Sequence, residues 1–375
     1  MSMKHHKKNR SVELKHGIGL VLCGGGTKGA YEIGAWRALK EKGVFDKITG
    51  FSGASIGAFN SAFMADGDLE KAEKVWLDFN VFDFVNLNQE KISKKILKGA
   101  GRTKSENIRD NFAIRRAGRI AFEKIVRVSS NKGDKALRKF KKYLNIMLDN
   151  KDLTVKKKEF EHMFNKRHSK TPDILSYNKR PFRNFWIWFI FNAVGSGYAT
   201  SDRLRSILEN NVVLDIDKLA SKDYFSVVCD WRQDKNVSGR PVYVNWKGNS
   251  RSDILDLIFV SGAYPILYQE GVFKGKKYVD GGYADNEPIK PLYDIGYRKI
   301  IIVYLDRIRG FELKQRISMQ EHWFPGCKFL RIIPNPDFND SFSASLVLTR
   351  EMTEKRIRMG YKDALKALEK ADPEF

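Results

Sequence analysis

A serine between two glycines is the first feature of this sequence that could carry out chemistry. Gly53, Ser55 and Gly57 fit the G-x-S-x-G pattern, in which a nucleophilic serine occupies a sharp turn between a strand and a helix. Glycines at these positions relieve the crowding that larger side chains would cause. The first N–H groups of the following helix favour negative charge near the serine. The pattern also arises by chance as an ordinary tight turn, so its interpretation depends on the rest of the chain.

A glycine-rich loop precedes this serine in the sequence. It consists of Gly24, Gly25, Gly26, Thr27, Lys28 and Gly29. Such a loop lets backbone N–H groups approach a ligand, as an oxyanion hole or a phosphate-binding loop requires. It is not a Walker A motif, because no G-K-[ST] closes it, and no acidic residue ends the second predicted strand as a dinucleotide site would require. Beside a nucleophilic serine, an oxyanion hole is the better interpretation.

A carboxylate followed by two glycines, Asp280-Gly281-Gly282, is the third candidate. The glycines would let this carboxylate approach another element closely, where it could orient Ser55 or deprotonate it as a general base. In isolation, an Asp-Gly pair is usually a turn. Histidine is the alternative base, and His322 follows Asp280 in the order of an α/β-hydrolase triad. We expect replacement of His322 to leave activity largely intact and replacement of Asp280 to abolish it.

The elements that must position these residues alternate between strand and helix. Residues 17–23 and 48–52 are apolar runs of strand length, and residues 30–42 carry apolar side chains at helical spacing. Further strands are predicted at 224–231, 241–246, 299–305 and 329–333, and further helices at 202–210, 252–262 and 349–370. This order predicts an α/β fold, in which helices flank a central and mostly parallel sheet.

The three motifs together resemble those of the patatin-like phospholipases. The order of the motifs and the spacing of the first two match that family. Smaller likenesses are Ser261-Gly262-Ala263-Tyr264-Pro265, Asn286-Glu287-Pro288, and the C-terminal segments 332–334 and 358–364. The resemblance covers about residues 17–85 and 200–370. It implies a lipid acyl ester hydrolase of the phospholipase A or lysophospholipase type, which needs neither a metal nor a cofactor.

The resemblance also implies a role for each motif. Ser55 would attack the acyl carbonyl, and Asp280 would accept the serine proton and later activate water. Gly25 and Gly26, together with their neighbour Gly24, would form the oxyanion hole. Lys28 matches the basic position of the family's loop, where it would fix the loop or attract phosphate. The remaining supporting positions of the motifs are Thr27, Gly29, Gly53, Gly57, Gly281 and Gly282.

Two other functions are compatible with the same residues. An acyltransferase would use the same acyl-enzyme but pass the acyl group to an alcohol instead of water. A non-catalytic protein that binds anions or membranes could also be built on a degenerate hydrolase fold. The intact serine, aspartate and glycine loop argue against degeneration.

The chain has a formal net charge of +23, and its positive charge is concentrated in two segments. Residues 91–190 contain 28 Lys and Arg against 9 Asp and Glu, and residues 1–16 contain 5 against 1. We therefore predict three parts. These are a basic tail at 1–16, a patatin-like catalytic domain at 17–85 and 200–375, and a basic helical insertion at 86–199 that ends in an aromatic cluster.

The basic insertion suggests a partner other than the substrate. Basic residues next to aromatic ones suit an anionic membrane surface, so residues 91–190 could form a docking element or a lid over the acyl pocket. The alternative is a solvated, charged cap with the aromatic residues buried beneath it. No nucleic-acid-binding motif is present, and no nucleic-acid partner is expected.

Targeting signals and cysteine spacing give little information about the function of the chain. The basic start has no apolar segment behind it, and the runs 18–23 and 185–194 are too short to cross a bilayer. Three scattered cysteines, Cys23, Cys229 and Cys327, make neither a disulfide framework nor a zinc site. We therefore expect a cytoplasmic protein without a signal peptide or transmembrane helix, which can associate peripherally with a membrane.

Overall fold

The computed structural model describes the chain in several stretches. These are residues 13–79, 83, 86–87, 199–200, 202–230, 239–264, 268, 270–338 and 348–375. Apart from residues 86–87 and 199 at its two ends, the predicted basic insertion with its aromatic cluster lies outside the described residues, as does most of the basic tail.

Ten strands and nine helices of the described residues are used below, numbered along the chain. The strands are β1 Ile18–Leu22, β2 Ile48–Ala54, β3 Asn86–Leu87, β4 Ala199–Thr200, β5 Asp223–Asp230, β6 Arg240–Asn245, β7 Gly271–Phe273, β8 Lys276–Asp280, β9 Lys299–Val303 and β10 Lys328–Ile332. The helices are α1 Ala30–Glu41, α2 Ile56–Asp66, α3 Leu69–Asp78, α4 Asp202–Asn211, α5 Ile216–Ala220, α6 Arg251–Ser261, α7 Lys290–Asp294, α8 Gly310–Trp323 and α9 Arg350–Leu368. Short 3-10 turns occupy Gly26–Gly29, Phe45–Lys47 and Gly281–Tyr283.

The main sheet of the described residues has eight strands. Its path runs β10-β9-β1-β2-β5-β8-β7, and β6 also pairs with β5. The five strands from β10 to β5 are parallel, whereas β6 and β8 run antiparallel to β5. Central strands such as β1 and β9 are continuous apolar runs because helices cover both of their faces.

Two apolar clusters lie on opposite faces of this sheet. Alternate residues of β1 show the division, since Leu20 and Leu22 belong to the cluster beneath α1 and α2, while Val21 packs with Leu292 of α7 on the other face. This arrangement confirms the predicted mostly parallel sheet with flanking helices. No helix among the described residues has the length and apolar character needed to cross a membrane.

Helices α1 and α9 approach each other closely through a pair of glycines. A Cβ atom at Gly34 would lie 1.9 Å from the carbonyl oxygen of Ile357, and a Cβ atom at Gly360 would lie 1.9 Å from that of Tyr31. The backbones therefore touch where these glycines face the partner helix. This contact fixes α9 against the helix that follows the glycine-rich loop.

Candidate active site

The glycine-rich loop and Ser55 lie at the same edge of the sheet. Strands β1 and β2 are parallel neighbours, and Leu22 pairs with Gly53 in their register. The segments that follow the two strands therefore emerge side by side, at the edge where open α/β sheets bind their ligands. A Cβ atom at Gly24 would lie 3.1 Å from the Cβ of Ser55.

Ser55 occupies a strained turn between β2 and α2. Its backbone has φ 54° and ψ −121°, and among the described residues only Lys274 shares a positive φ without being glycine. The turn brings α2 close to β1, so that a Cβ atom at Gly57 would lie 2.2 Å from the Leu22 carbonyl oxygen. A Cβ atom at Gly53 would lie 2.5 Å from the Ala58 nitrogen. These close backbone contacts require glycine at both positions. Ser55 itself is half-buried and immediately precedes α2.

Asp280 reaches Ser55 because β2 and β8 both pair with β5. Ala54 pairs with Val227 at the end of β2, and Asp280 pairs with the next residue, Val228, at the end of β8. The ends of the two strands therefore meet, and Ser55 Oγ donates a hydrogen bond of 2.6 Å to Asp280 Oδ2. The close approach depends on Gly281, where a Cβ atom would lie 2.0 Å from the Val227 carbonyl oxygen.

The environment of Asp280 sets its proton affinity. The carboxyl is buried, and burial raises its pKa to about 6. Hydrogen bonds from the Ser55 hydroxyl and from the Gly282 N–H, the latter at 2.7 Å, act in the opposite direction because they stabilise the charged form. At neutral pH the group is therefore mainly an ionised hydrogen-bond acceptor, with a higher proton affinity than an exposed aspartate.

The glycine-rich loop is held from one side by Asn286. The Gly24 N–H donates to Asn286 Oδ1 at 2.9 Å, and Asn286 Nδ2 donates to the Gly24 carbonyl oxygen at 3.2 Å. The Gly24 N–H is therefore already used. Among the described residues, neither Gly25 nor Gly26 donates its N–H in a hydrogen bond, and both residues are partly exposed.

The loop is held from the other side by two buried cations. Lys28 is buried, and its Nζ lies 2.5 Å from Oδ1 of the exposed Asp306. Nη1 of Arg356, on α9, donates to the carbonyl oxygen of Thr27 at 2.9 Å and to its hydroxyl at 3.2 Å. Of the two roles that the resemblance allowed for Lys28, the salt bridge to Asp306 favours that of fixing the loop.

Histidine is not the partner of the serine hydroxyl in this arrangement. His322 is exposed on α8, and the hydroxyl of Ser55 donates to Asp280. No motif in the sequence points to Asp306 or Arg356 as a contact of the loop. Arg356 could have been noticed as a charged residue on the face of a helix that otherwise carries Thr353, Gly360 and Ala364, all of which are buried.

The chain is similar to one known protein family and to several solved structures. The sequence model of the patatin-like phospholipases matches residues 20–293. Similar solved structures include VipD from Legionella pneumophila, with 17% identity and a TM-score of 0.38, and the type III effector ExoU from Pseudomonas aeruginosa, with 16% identity and a TM-score of 0.38. Each comparison covers 95% of this chain, but it covers 67% of VipD and only 53% of ExoU, so the chain spans about half the length of ExoU. A search of curated proteins gives no match.

Proposed function

Because the chain belongs to the patatin-like phospholipase family, we propose that it hydrolyses carboxylic ester bonds of phospholipids or related acyl lipids. In this proposal Ser55 is the nucleophile and Asp280 is the general base. The observation that carries it is the 2.6 Å hydrogen bond from the serine hydroxyl to the aspartate carboxylate, beside a glycine-rich loop. A nucleophile within hydrogen-bonding reach of its base is the arrangement that covalent catalysis needs.

The first half of the reaction forms an acyl-enzyme. Ser55 Oγ attacks the ester carbonyl carbon as its proton passes to Asp280 Oδ2. The N–H groups of Gly25 and Gly26 stabilise the negative charge that develops on the carbonyl oxygen, while Gly24 keeps the loop in place through Asn286. Each donor of this kind typically contributes roughly 10²–10³ in rate. The tetrahedral intermediate then collapses, and the leaving alcohol takes the proton from Asp280.

The second half returns the enzyme to its starting state. A water molecule replaces the alcohol, and Asp280 accepts one of its protons as the oxygen attacks the acyl carbon. The same N–H groups stabilise the second oxyanion. Collapse of that intermediate releases the carboxylic acid and returns the proton to Ser55. The raised pKa of Asp280 assists both transfers, because it brings the proton affinity of the base closer to that of the groups it must deprotonate.

Replacement of the two proposed catalytic residues tests the assignment. We expect Ser55→Ala and Asp280→Asn to lower ester hydrolysis by roughly 10⁴-fold or more, because nucleophile and base act as one unit. Product analysis on vesicles of mixed phospholipids measures this loss, and it distinguishes free fatty acid from an acyl group transferred to another alcohol. A fluorophosphonate probe should label the wild-type protein but not Ser55→Ala.

His322→Ala is the matched control for the base. It should keep activity within about twofold of wild type, because the side chain is exposed on α8 and the serine hydroxyl is bonded to a carboxylate. If Asp280→Asn stayed active while His322→Ala lost activity, the base would be histidine and the proposal would be wrong.

A further inference from the structure

We infer that Ser261 is a positioning residue, which holds the backbone of Ser55 in its strained conformation and thereby keeps the serine hydroxyl on Asp280. This inference rests on the proposed hydrolase function. Ser261 is the last residue of α6, and its side chain is fully buried. The side chain of Ser261 contacts the backbone nitrogen of Ser55 and not the Ser55 hydroxyl.

The need for such a residue follows from the conformation of Ser55. A positive φ is unfavourable for a residue with a Cβ atom, and it persists only where surrounding contacts impose it. Asp280 holds the side chain of Ser55, but one side-chain hydrogen bond does not fix φ. Contacts on the backbone must hold the turn as well: the Ser55 carbonyl oxygen accepts the N–H groups of Ala58 and Phe59, and the Ser55 N–H needs an acceptor of its own.

Ser261 supplies that contact, and the direction of its hydrogen bonds is fixed. Its hydroxyl donates a hydrogen bond of 2.7 Å to the carbonyl oxygen of Val227, so its lone pairs are left to accept. The Ser55 N–H donates a hydrogen bond of 3.0 Å to the hydroxyl oxygen of Ser261. The hydroxyl thus connects the nucleophile turn to β5, the strand on which the ends of β2 and β8 meet.

The same turn of chain also holds the base. The carbonyl oxygen of Ala263, two residues beyond Ser261, accepts the N–H of Asp280 at 3.0 Å. Ser261, at the end of α6, and Ala263, just beyond it, therefore bond to the backbones of both proposed catalytic residues, although these are 225 positions apart in the sequence. These contacts add to the strand pairing on β5 that brings the two residues together.

Alanine at position 261 tests the inference. Ser261→Ala leaves the Ser55 N–H without its acceptor and removes the connection to Val227. With a soluble p-nitrophenyl acyl ester as substrate, kcat per labelled site should fall about 10- to 100-fold, because small misplacements of a nucleophile cost rates of this size. KM should stay within about twofold, since Ser261 does not line the loop that receives the carbonyl. Active sites are counted with a fluorophosphonate.

A control at the other end of α6 separates positioning from stability. Ser250 caps this helix, where its hydroxyl accepts the N–H of Asp253. Ser250→Ala should lower Tm to a similar extent without changing kcat per labelled site. Ser261→Thr, which keeps the hydroxyl, should recover kcat to within about fivefold of wild type, as retention of the bridging oxygen predicts.

The results of these measurements distinguish the positioning role of Ser261 from the proposed hydrolase function. An active wild type together with a Ser261→Ala variant that keeps kcat within about threefold would overturn the positioning role and leave the hydrolase function intact. A wild type that neither hydrolyses the ester nor reacts with the fluorophosphonate would overturn the proposed function itself. If Ser261→Ala does not fold, Ser261→Cys takes its place, because the thiol fills a similar volume but is a weak donor and acceptor. Its kcat should then lie between those expected for wild type and alanine, and a wild-type value would again overturn the role.

Discussion

At the scale of single residues, Asp280 combines two demands that oppose each other. It must be ionised to accept the proton of Ser55, yet it is buried, and burial favours the neutral form. Two hydrogen-bond donors, the Ser55 hydroxyl and the Gly282 N–H, partly offset this cost. The balance leaves its pKa at about 6, well above the value of a solvent-exposed aspartate.

This pKa predicts how the reaction responds to pH. A general base works only when deprotonated, so kcat/KM should fall about tenfold per pH unit below pH 6 and level off above it. The measurement is a pH profile on a soluble ester, with circular dichroism at each pH to establish that the protein stays folded. Asp285→Asn is the control, because Asp285 is a half-buried carboxyl whose pKa is also raised by desolvation, and its hydroxyl partner is Tyr243. A midpoint near pH 4, or one that moves in Asp285→Asn, would contradict the assignment.

Single residues also show what the sequence alone could reveal. Ser55, Asp280 and the glycine loop were recognisable because short motifs demand particular residue types at fixed spacing. The contacts that hold the loop have no such signature. Asp306 lies 278 positions from Lys28, and Arg356 lies 329 positions from Thr27, so only the fold brings these pairs together.

At the scale of elements, the contact between α1 and α9 links the far end of the chain to the candidate site. Gly34 and Gly360 let the two helices touch, and Arg356, one turn before Gly360, reaches the carbonyl oxygen of Thr27 in the loop. The position of the loop therefore depends on how closely α9 packs.

A methyl group at this contact should disturb both packing and stability. Gly360→Ala would place a Cβ atom 1.9 Å from the Tyr31 carbonyl oxygen, so the helices must separate. We expect unfolding free energy to fall by about 1–3 kcal/mol, as for other overpacked sites, measured by urea denaturation. Gly262→Ala is the control, because the nearest atom to its Cβ would be 3.8 Å away. Equal stability of the two variants would show that the backbones do not touch.

Most of the longer elements could be predicted, but the 14-residue helix α8 could not. The predicted strand at 299–305 and the predicted helix at 349–370 correspond to β9 and α9, because their apolar patterns match the period of each element. Helix α8 was not predicted. Its only buried residue is Gln320, and its inward contacts include the ion pair between Arg316 and Glu287, so it lacks a continuous apolar face.

At the scale of the whole molecule, the described residues do not show what the positively charged insertion binds. Residues 91–190 lie outside the described residues, and their role as a docking element for anionic membranes remains a proposal. Near-surface Lys and Arg contribute about 1 kcal/mol each to binding of anionic membranes.

Charge reversal within this segment tests the docking proposal. The triple variant Lys156→Glu, Lys157→Glu, Lys158→Glu should bind phosphatidylserine vesicles at least about tenfold more weakly than wild type in a sedimentation assay, and high salt should weaken wild-type binding. The control makes the same change of charge at three exposed lysines of α9, Lys355, Lys362 and Lys366. Equal losses in the two variants would indicate a nonspecific effect of net charge rather than a docking segment.

The order of strands in the sheet has a practical consequence for anyone who shortens this chain. The family match ends at residue 293, but β9 lies between β1 and β10, and it follows that boundary. A recombinant fragment trimmed to the match would leave β1 with a bare, apolar edge, which is a typical start of aggregation. It would also lack the arginine that anchors Thr27. The smallest useful expression unit therefore extends through α9.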